Sequence, residues 1–572
     1  MAASLLPGLP TVSNEVWDDA AVRRVLHTFA YGGQATDYRI AVWAKMAPAA
    51  AIEQILKFSQ HNPLLSRPHR QDRDGLLERN GSLRSLTRFW ASSVAGNGVP
   101  SEQREQLDVD AWGAPFRTWL YAARMRGLNP FRHKIGLWET NYHMAVNLKG
   151  LSSRQVLAYY DEIMAAHARY SSYHEVMNRA ALSAAVARQY GHLYNRYKDG
   201  VCHCNEDFAR EYHQLFFGIF GAYDPVEHEE VTIKNTAAAL SHMRLIRGNA
   251  PALWQGDKLE FKTRQHPDGP LRILQTPNFG RDAEERISGL SPIAIEHPES
   301  LDNLPVKIVR DLADDDLSNT EIAALRRAWR SMKDKDLLRF LRAYAVSTLF
   351  HSKNRVKRWT SIDRHLLTAN LYAHRNAEHY ADTTNMGLLL WFEEIRPFHP
   401  LHDVFGHQTG PEAAASADIF RKQYAISTER GWRFLKTSWD YEGGELKKDW
   451  RRAMGKRGGR YSVEAVAKWL WRRFIADGLK NYGPLEQAHL HALLATGDDI
   501  ALLAHPSNID KPVTVDEIAS RPSLRRLIQD LGNARMALNE AGSGKRAVAN
   551  ERIGQAINFI TATPYMFAQE GR

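Results

Sequence analysis

Residues 202–221 read CHCNEDFAREYHQLFFGIFG, and the fold turns on how this stretch is read. Asn205 is a residue type that starts helices, and Glu206 and Asp207 then occupy the first turn, where unpaired backbone amides favour negative charge. Phe208, Tyr212, Leu215, Phe216, Ile219 and Phe220 recur at intervals of three and four, and Gly221 is a natural stop. Glu206 and Arg210 lie four apart, the spacing of an intrahelical ion pair. The spacing therefore predicts an amphipathic helix over 206–220. Helix formation leaves unexplained Glu211 and the Cys-His-Cys just before the cap.

The same period runs outward in both directions. Between Ala20 and Phe58 the apolar residues Val22, Val25, Leu26 and Phe29, then Ile40 and Trp43, mark helices separated by a Gly32–Gly33 stop and a Thr36 or Asp37 start. Further helices are predicted over 152–168, 173–198, 228–245, 319–350, 361–379, 411–436, 462–479, 484–495, 521–539 and 551–561. Strand signals are few. LEFKT (259–263) and LRILQT (271–276), around a HPDGP turn, predict one hairpin. Polar segments with Pro and Gly at 59–80, 246–305 and 440–460 read as long loops. The expected fold is mainly α: a large multi-helix body with long loops and at most one short hairpin. Residues 1–390 form an N-terminal helical part carrying the 206–220 helix, and residues 391–572 a C-terminal helical part packed with it as one body.

The chain has 572 residues, 44% hydrophobic and 24% charged, with a net charge of +10. Those are ordinary globular values. Ten of the basic residues fall between Lys447 and Arg473 against two acids, interleaved with Trp450, Trp469 and Trp471. Such a patch at 447–473 fits a polyanion; it equally fits a solvated face on a helix whose tryptophans are core. No apolar run reaches the length of a bilayer span. The N-terminus, MAASLLPGLPTVSNEVWDDA, lacks the basic start and apolar centre of an export signal. The expected setting is cytoplasmic, although a leader already removed would leave the same trace.

Two cysteines occur, Cys202 and Cys204. A disulfide across so short a loop removes little chain entropy, so no disulfide framework is expected. Together with His203, and with His213 further along the helix, they offer a ligand set for zinc or another transition metal. RPFHPLHDVFGHQTG supplies a second set in His399, His402, Asp403 and His407, dense in metal-ligand and general-base types. HPDGPLRIL and IEHPES contribute His266 and His297, each in a His-Pro pair suited to a turn or a helix start. No nucleophile elbow, phosphate-binding glycine loop, dinucleotide fingerprint or H-E-x-x-H is present.

Taken in order, these segments resemble the bacterial "domain of unknown function 1800" family, over nearly the whole chain. VRRVLHTFAYGG (22–33) looks like its opening helix and R-x-x-F-G stop, and FRHKIGLWETNYH (131–143) is similar to its K-x-x-x-F-W-x-N-H-F segment. NEDFAREYHQLF (205–216) resembles N-E-N-F-A-R-E-L-x-x-L-F and is the most specific element. LAYYDEI (157–163), HPDGPLRIL (266–274), IEHPES (295–300), STLFHSKNRVKR (347–358) and ATPYMF (562–567) complete the series. Departures are Asp207 in place of Asn, Tyr212 in place of Leu, and His407 where Trp is usual. The resemblance implies Asn205, Glu206, Arg210 and Glu211 as matched signature positions, and no reaction. Relatives often accompany a sulfatase-like partner and look exported.

Three functions follow as expectations. The first is an enzyme of hydrolase or lyase type, with Glu206 or Glu211 as acid or base, oriented by Arg210, and His266 and His297 across a cleft. The second is a metal-binding protein using the Cys202–His203–Cys204 or His399–His407 cluster. The third is a non-catalytic scaffold in which Glu206, Arg210 and Glu211 form a buried ion network.

Overall fold

A computed structural model of the chain describes residues 5–33, 35–58, 119, 130–151, 153–246, 257–264, 266–372, 397–400, 406, 450–454, 461–508, 510–538 and 543–571. Helices dominate them, as the periodicity predicts, and the fold is mainly α. The first helix spans Asp19–Ala30, starting where the Asp18 carboxylate accepts from Ala21 N at 2.8 Å. It stops at Tyr31, Gly32 and Gly33, all with positive φ. Thr36 then caps Asp37–Ala44, accepting from Arg39 N.

Several predicted helices are divided by residues that cap a successor. The 173–198 segment is Tyr173–Ala181 and Ala184–Gln189, with Ser183 capping the second, and ends in a 3₁₀ turn and a strand. The 319–350 segment is Asn319–Ser331 and Leu337–Ala345, begun by a Ser318–Glu321 capping box and by Asp336. The expected loop over 246–305 is corrected more heavily, because it holds the helix Ala283–Ile295 and the start of Pro298–Leu312. Asp282 caps the first, and His297–Pro298 opens the second in the manner expected of a His-Pro pair. The prolines that read as loop signals, Pro292 and Pro305, lie inside these helices.

Among the described residues eight short strands form four antiparallel pairs, against the single hairpin expected. They are β1 Arg196–Lys198, β2 Val201–His203, β3 Met243–Ile246, β4 Lys258–Phe261, β5 Leu271–Ile273, β6 Thr276–Asn278, β7 Val356–Arg358 and β8 Ala568–Glu570. The predicted partners do not meet. β4 pairs with β3 and β5 with β6, so LEFKT and LRILQT belong to two different hairpins. β1 and β2 are joined by Asp199–Gly200, both at positive φ, a two-residue turn whose Asp-Gly signal stands in the sequence.

One apolar core runs from Leu6 to Phe398, and a second gathers Leu367, Leu371 and residues from Trp450 to Met566. The two parts of the chain touch through polar bonds. Trp469 Nε1 donates to Asp37 Oδ2 at 2.7 Å, and Arg24 Nη1 to Ala476 O at 3.2 Å. β8 lies on β7, and Gln569 Oε1 accepts from Thr28 Oγ1 at 2.7 Å and from Arg355 Nη2 at 2.6 Å. Trp450, Trp469 and Trp471 are all buried in the second core. The aromatic platform imagined for a polyanion at 447–473 is therefore core; residues 447–449 and 455–460 within it lie outside the described set. So do the helix expected at 411–436 and the loop at 59–80. Among the described residues no helix is long and apolar enough to cross a membrane.

Candidate functional site

The signature segment begins where Asn205 Oδ1 accepts from Asp207 N at 2.8 Å. Asp207–Glu211 is α-helical, and Tyr212–Phe216 widens into a π-helix. The segment ends sooner than its apolar pattern predicts. Gly218, not Gly221, takes the turn, at φ 70°, and a Cβ there would sit 2.9 Å from Asn303 Cβ. Two more π-helical segments occur, Glu139–His143 and His228–Ile233. π-helical turns are rare and concentrate at functional sites. All three are linked: His143 Nε2 lies 3.0 Å from Phe216 O, and the His213 and His228 rings meet edge-to-face with centroids 5.8 Å apart.

Glu139 is the hub of the first link. It is fully buried, and its carboxylate faces His167 Nε2 at 2.7 Å, Tyr173 OH at 2.9 Å and His143 Nδ1 at 3.0 Å. Burial alone acts to raise its pKa; the hydrogen bonds from His143 and His167 outweigh that and hold it below the ordinary carboxylate value. His143 Nε2 faces a carbonyl, which only accepts, so it must carry a proton. Sequence reasoning missed this hub. Its signal was Glu139 four residues before His143, inside the apolar stretch GLWETNYHMAV.

The second link carries unpartnered groups. Thr236 Oγ1 donates to Thr232 O at 2.8 Å and must therefore accept from His213 Nε2, also 2.8 Å away. His213 Nδ1 is left as a buried lone pair with no partner among the described residues. The same is true of His228 Nε2, Tyr212 OH and Glu211 Oε2. Burial lowers the His213 pKa to about 3, with His228 and His297 adding to the effect. It lowers that of His228 too, against the pull of Glu229 and Glu299. Gly221, at φ 73°, lets the backbone lie on the His228 ring, since a Cβ would stand 2.5 Å from its Cγ.

Arg210 stands between the predicted residues and these histidines. It pairs with Glu229, reaches Glu206 at 4.0 Å, and its charge acts on both Glu211 and His228. Glu211 is half-buried; burial raises its pKa to about 7, with Arg210 opposing. His297 does come to the site. Its charge acts on His213, that of His228 acts on it, and its Nδ1 accepts from Glu299 N at 3.4 Å. Glu299 in turn accepts from Phe220 N and Ala222 N at 2.7 and 3.0 Å, fixing the loop after the signature helix. His266 goes elsewhere. It faces Ser241 Oγ at 3.4 Å, and burial lowers its pKa to about 4, helped by Arg286 and His242.

The Cys202–His203–Cys204 set does not offer free thiolate ligands. Cys202 and Cys204 are joined as a disulfide, so neither sulfur is a free thiolate, and His203 is exposed on β2. The two cysteines lie at the end of a hairpin, not in a featureless loop. Among the described residues no three His, Cys, Asp or Glu side chains are grouped as metal ligands. His399 Nδ1 faces Asn147 Oδ1 at 3.0 Å; His402, Asp403 and His407 lie outside the described residues.

No curated protein and no solved structure matches the chain. A family model described as "Protein of unknown function (DUF1800)" matches residues 24–392, more than half of the chain and the whole of the three-segment junction, and the protein belongs to that family.

Proposed function

We propose that the protein is an enzyme of hydrolase or lyase type, with Glu211 as its proton-transfer group and Arg210 holding an anionic part of the substrate. One observation carries this reading. The signature segment and its neighbour carry four buried polar atoms without partners among the described residues: Glu211 Oε2, Tyr212 OH, His213 Nδ1 and His228 Nε2. Each such atom costs about 1–3 kcal/mol when left unsatisfied, so a fold that retains several together supports a ligand that satisfies them. A carboxyl with a pKa of about 7 exchanges a proton at neutral pH in either direction. Arg210, adjacent and only half-buried, suits an incoming anion, and His228 supplies a second imidazole beside it.

The test is a panel of chromogenic carboxylic esters, phosphate and sulfate monoesters and β-elimination substrates, run on the wild type, Glu211→Gln and Arg210→Met. The expected result is turnover whose kcat falls by about 100-fold or more in Glu211→Gln with no loss of melting temperature. Its pH profile should bend near 7 in the wild type only. Turnover that survives both substitutions overturns the assignment. A scaffold reading is favoured by the Arg210–Glu229 pair, which ties the signature helix to the third π segment. In that case both variants melt earlier and the panel stays silent.

A further inference from the structure

The β1–β2 hairpin presents the chain's two cysteines, one residue apart, with their sulfurs joined. A bond closing so small a loop restrains the unfolded chain very little. The hairpin does not need it. The Asp199–Gly200 turn sets its register, and the ladder pairs Arg196 with His203 and Tyr197 with Cys202. Beyond the last rung, Asn195 takes over the clamping. Its Oδ1 accepts from Asn205 N at 2.8 Å, and its Nδ2 donates to Asn205 O at 3.3 Å. The disulfide is thus redundant as a staple, which is the usual reason a small secreted domain keeps one.

Its surroundings suit exchange. Both cysteines are half-exposed, and His203 between them is exposed. Tyr197 is the residue paired with Cys202 across the ladder and shares its face, while the exposed Arg196 and Lys198 lie on the other face of the ribbon with His203. The two sulfurs are not equivalent. Cys204 packs against Ala209, Ile233 and Ala237, a small cluster that joins the signature helix to the third π segment. Among the described residues no apolar cluster takes in Cys202, which makes it the favoured sulfur for attack.

From this we propose that Cys202–Cys204 is a surface thiol–disulfide exchange site whose co-substrate is a thiol. An external thiolate attacks Cys202 Sγ, forming a mixed disulfide and releasing Cys204 as a thiolate that takes a proton from water. A second external thiolate attacks the external sulfur of the mixed disulfide. It frees Cys202, which is protonated in turn, and leaves the external thiol as its own disulfide. Two electrons pass from two external thiols to the protein, and the reverse reaction restores the bond.

The experiment uses the folded, full-length protein and glutathione as the probe. Samples equilibrated with reduced and oxidised glutathione in native buffer are quenched with acid, alkylated with a mass-tagged maleimide and mapped by proteolysis. The expected result is two alkylated cysteines in reduced glutathione, recovery of the bond in oxidised glutathione, and no fall in melting temperature on reduction. Cys204→Ser should trap one glutathione on Cys202 in oxidised glutathione. Cys202→Ala/Cys204→Ala should fold with wild-type stability. The proposal is overturned if the cysteines alkylate only after denaturation, if reduction or the double variant lowers the melting temperature by several degrees, or if aerobically prepared protein carries two free thiols.

Discussion

Glu211 shows how one side chain can be tested by stability before any substrate is known. Its pKa stands near 7 in the folded protein against 4.5 ordinarily, because burial disfavours the charge. A carboxyl raised in this way contributes stability that is fully present below the unfolded pKa and lost as pH rises through the folded value. The loss should fall between roughly pH 4.5 and 7 and amount to about 1–2 kcal/mol once solvent screening of a half-buried group is allowed for. Glu211→Gln should therefore match the wild type at pH 4 and exceed it in melting temperature at pH 8. Equal melting temperatures at both pH values would show that the carboxyl is not desolvated. Gly221 makes the opposite case. Alanine there combines positive φ with a Cβ 2.5 Å from the His228 ring, and should cost about 1–3 kcal/mol in urea unfolding. An unchanged midpoint would mean that the ring does not lie on this backbone.

At the scale of elements, the three π-helical segments are held by bonds that no local pattern specifies. The apolar spacing of 206–220 is that of an α-helix, yet the chain widens from Tyr212 and stops at Phe216. His143 reaches in from a segment more than seventy residues away to take Phe216 O, and Glu139 holds His143 in place. Removing that carboxylate strands His143, His167 and Tyr173 in a dry core. Glu139→Ala should cost about 3–5 kcal/mol, as for a broken buried ion pair, with Glu139→Gln milder because an acceptor oxygen remains. Denaturant melts of the two variants check the order. Hydrogen exchange in Tyr212–Phe216 should quicken in Glu139→Ala more than exchange in the helix Pro484–Ala495, which belongs to the other core. Uniform quickening would argue that Glu139 supports global stability and not the signature segment's register.

For the molecule as a whole, the last residues act as a clasp. β8 completes the ladder with β7, Gln569 Oε1 accepts from both Thr28 and Arg355, and Gly571 N donates to Arg355 O at 2.8 Å. Arg355 is fully buried, and it also donates to Glu570 O at 3.3 Å and to Ala313 O at 2.8 Å. Deleting residues 568–572 should thus lower stability by about 3 kcal/mol or more, since it exposes a strand edge and leaves a buried guanidinium short of acceptors. Gln569→Leu should reproduce much of that loss while keeping the ladder. If the truncated chain melts with the wild type, the C-terminal strand is not part of the cooperative unit.

Local physics was legible in the residues themselves. Asp18, Thr36, Ser318, Asp336 and the Pro-headed helices at 298 and 484 start helices because a cap needs only its own next turn. The mainly α class, the signature helix and the place of Glu206, Arg210 and Glu211 upon it follow from spacing alone. Even the missed Asp199–Gly200 hairpin and the Glu139–His143 pair had short-range signals. Partners were not legible. The HPDGP turn set β4 against β5, and only the packed chain selects β3 and β6 as their partners. Whether the charge of His266 or of His297 reaches His213 depends on which helices meet, and in the fold it is that of His297. Caps and periods are contests among atoms a few residues apart, settled wherever they occur. Pairing, π register and the burial that moves Glu211 are set by contacts distant in sequence, whose energy exists only once the cores have closed.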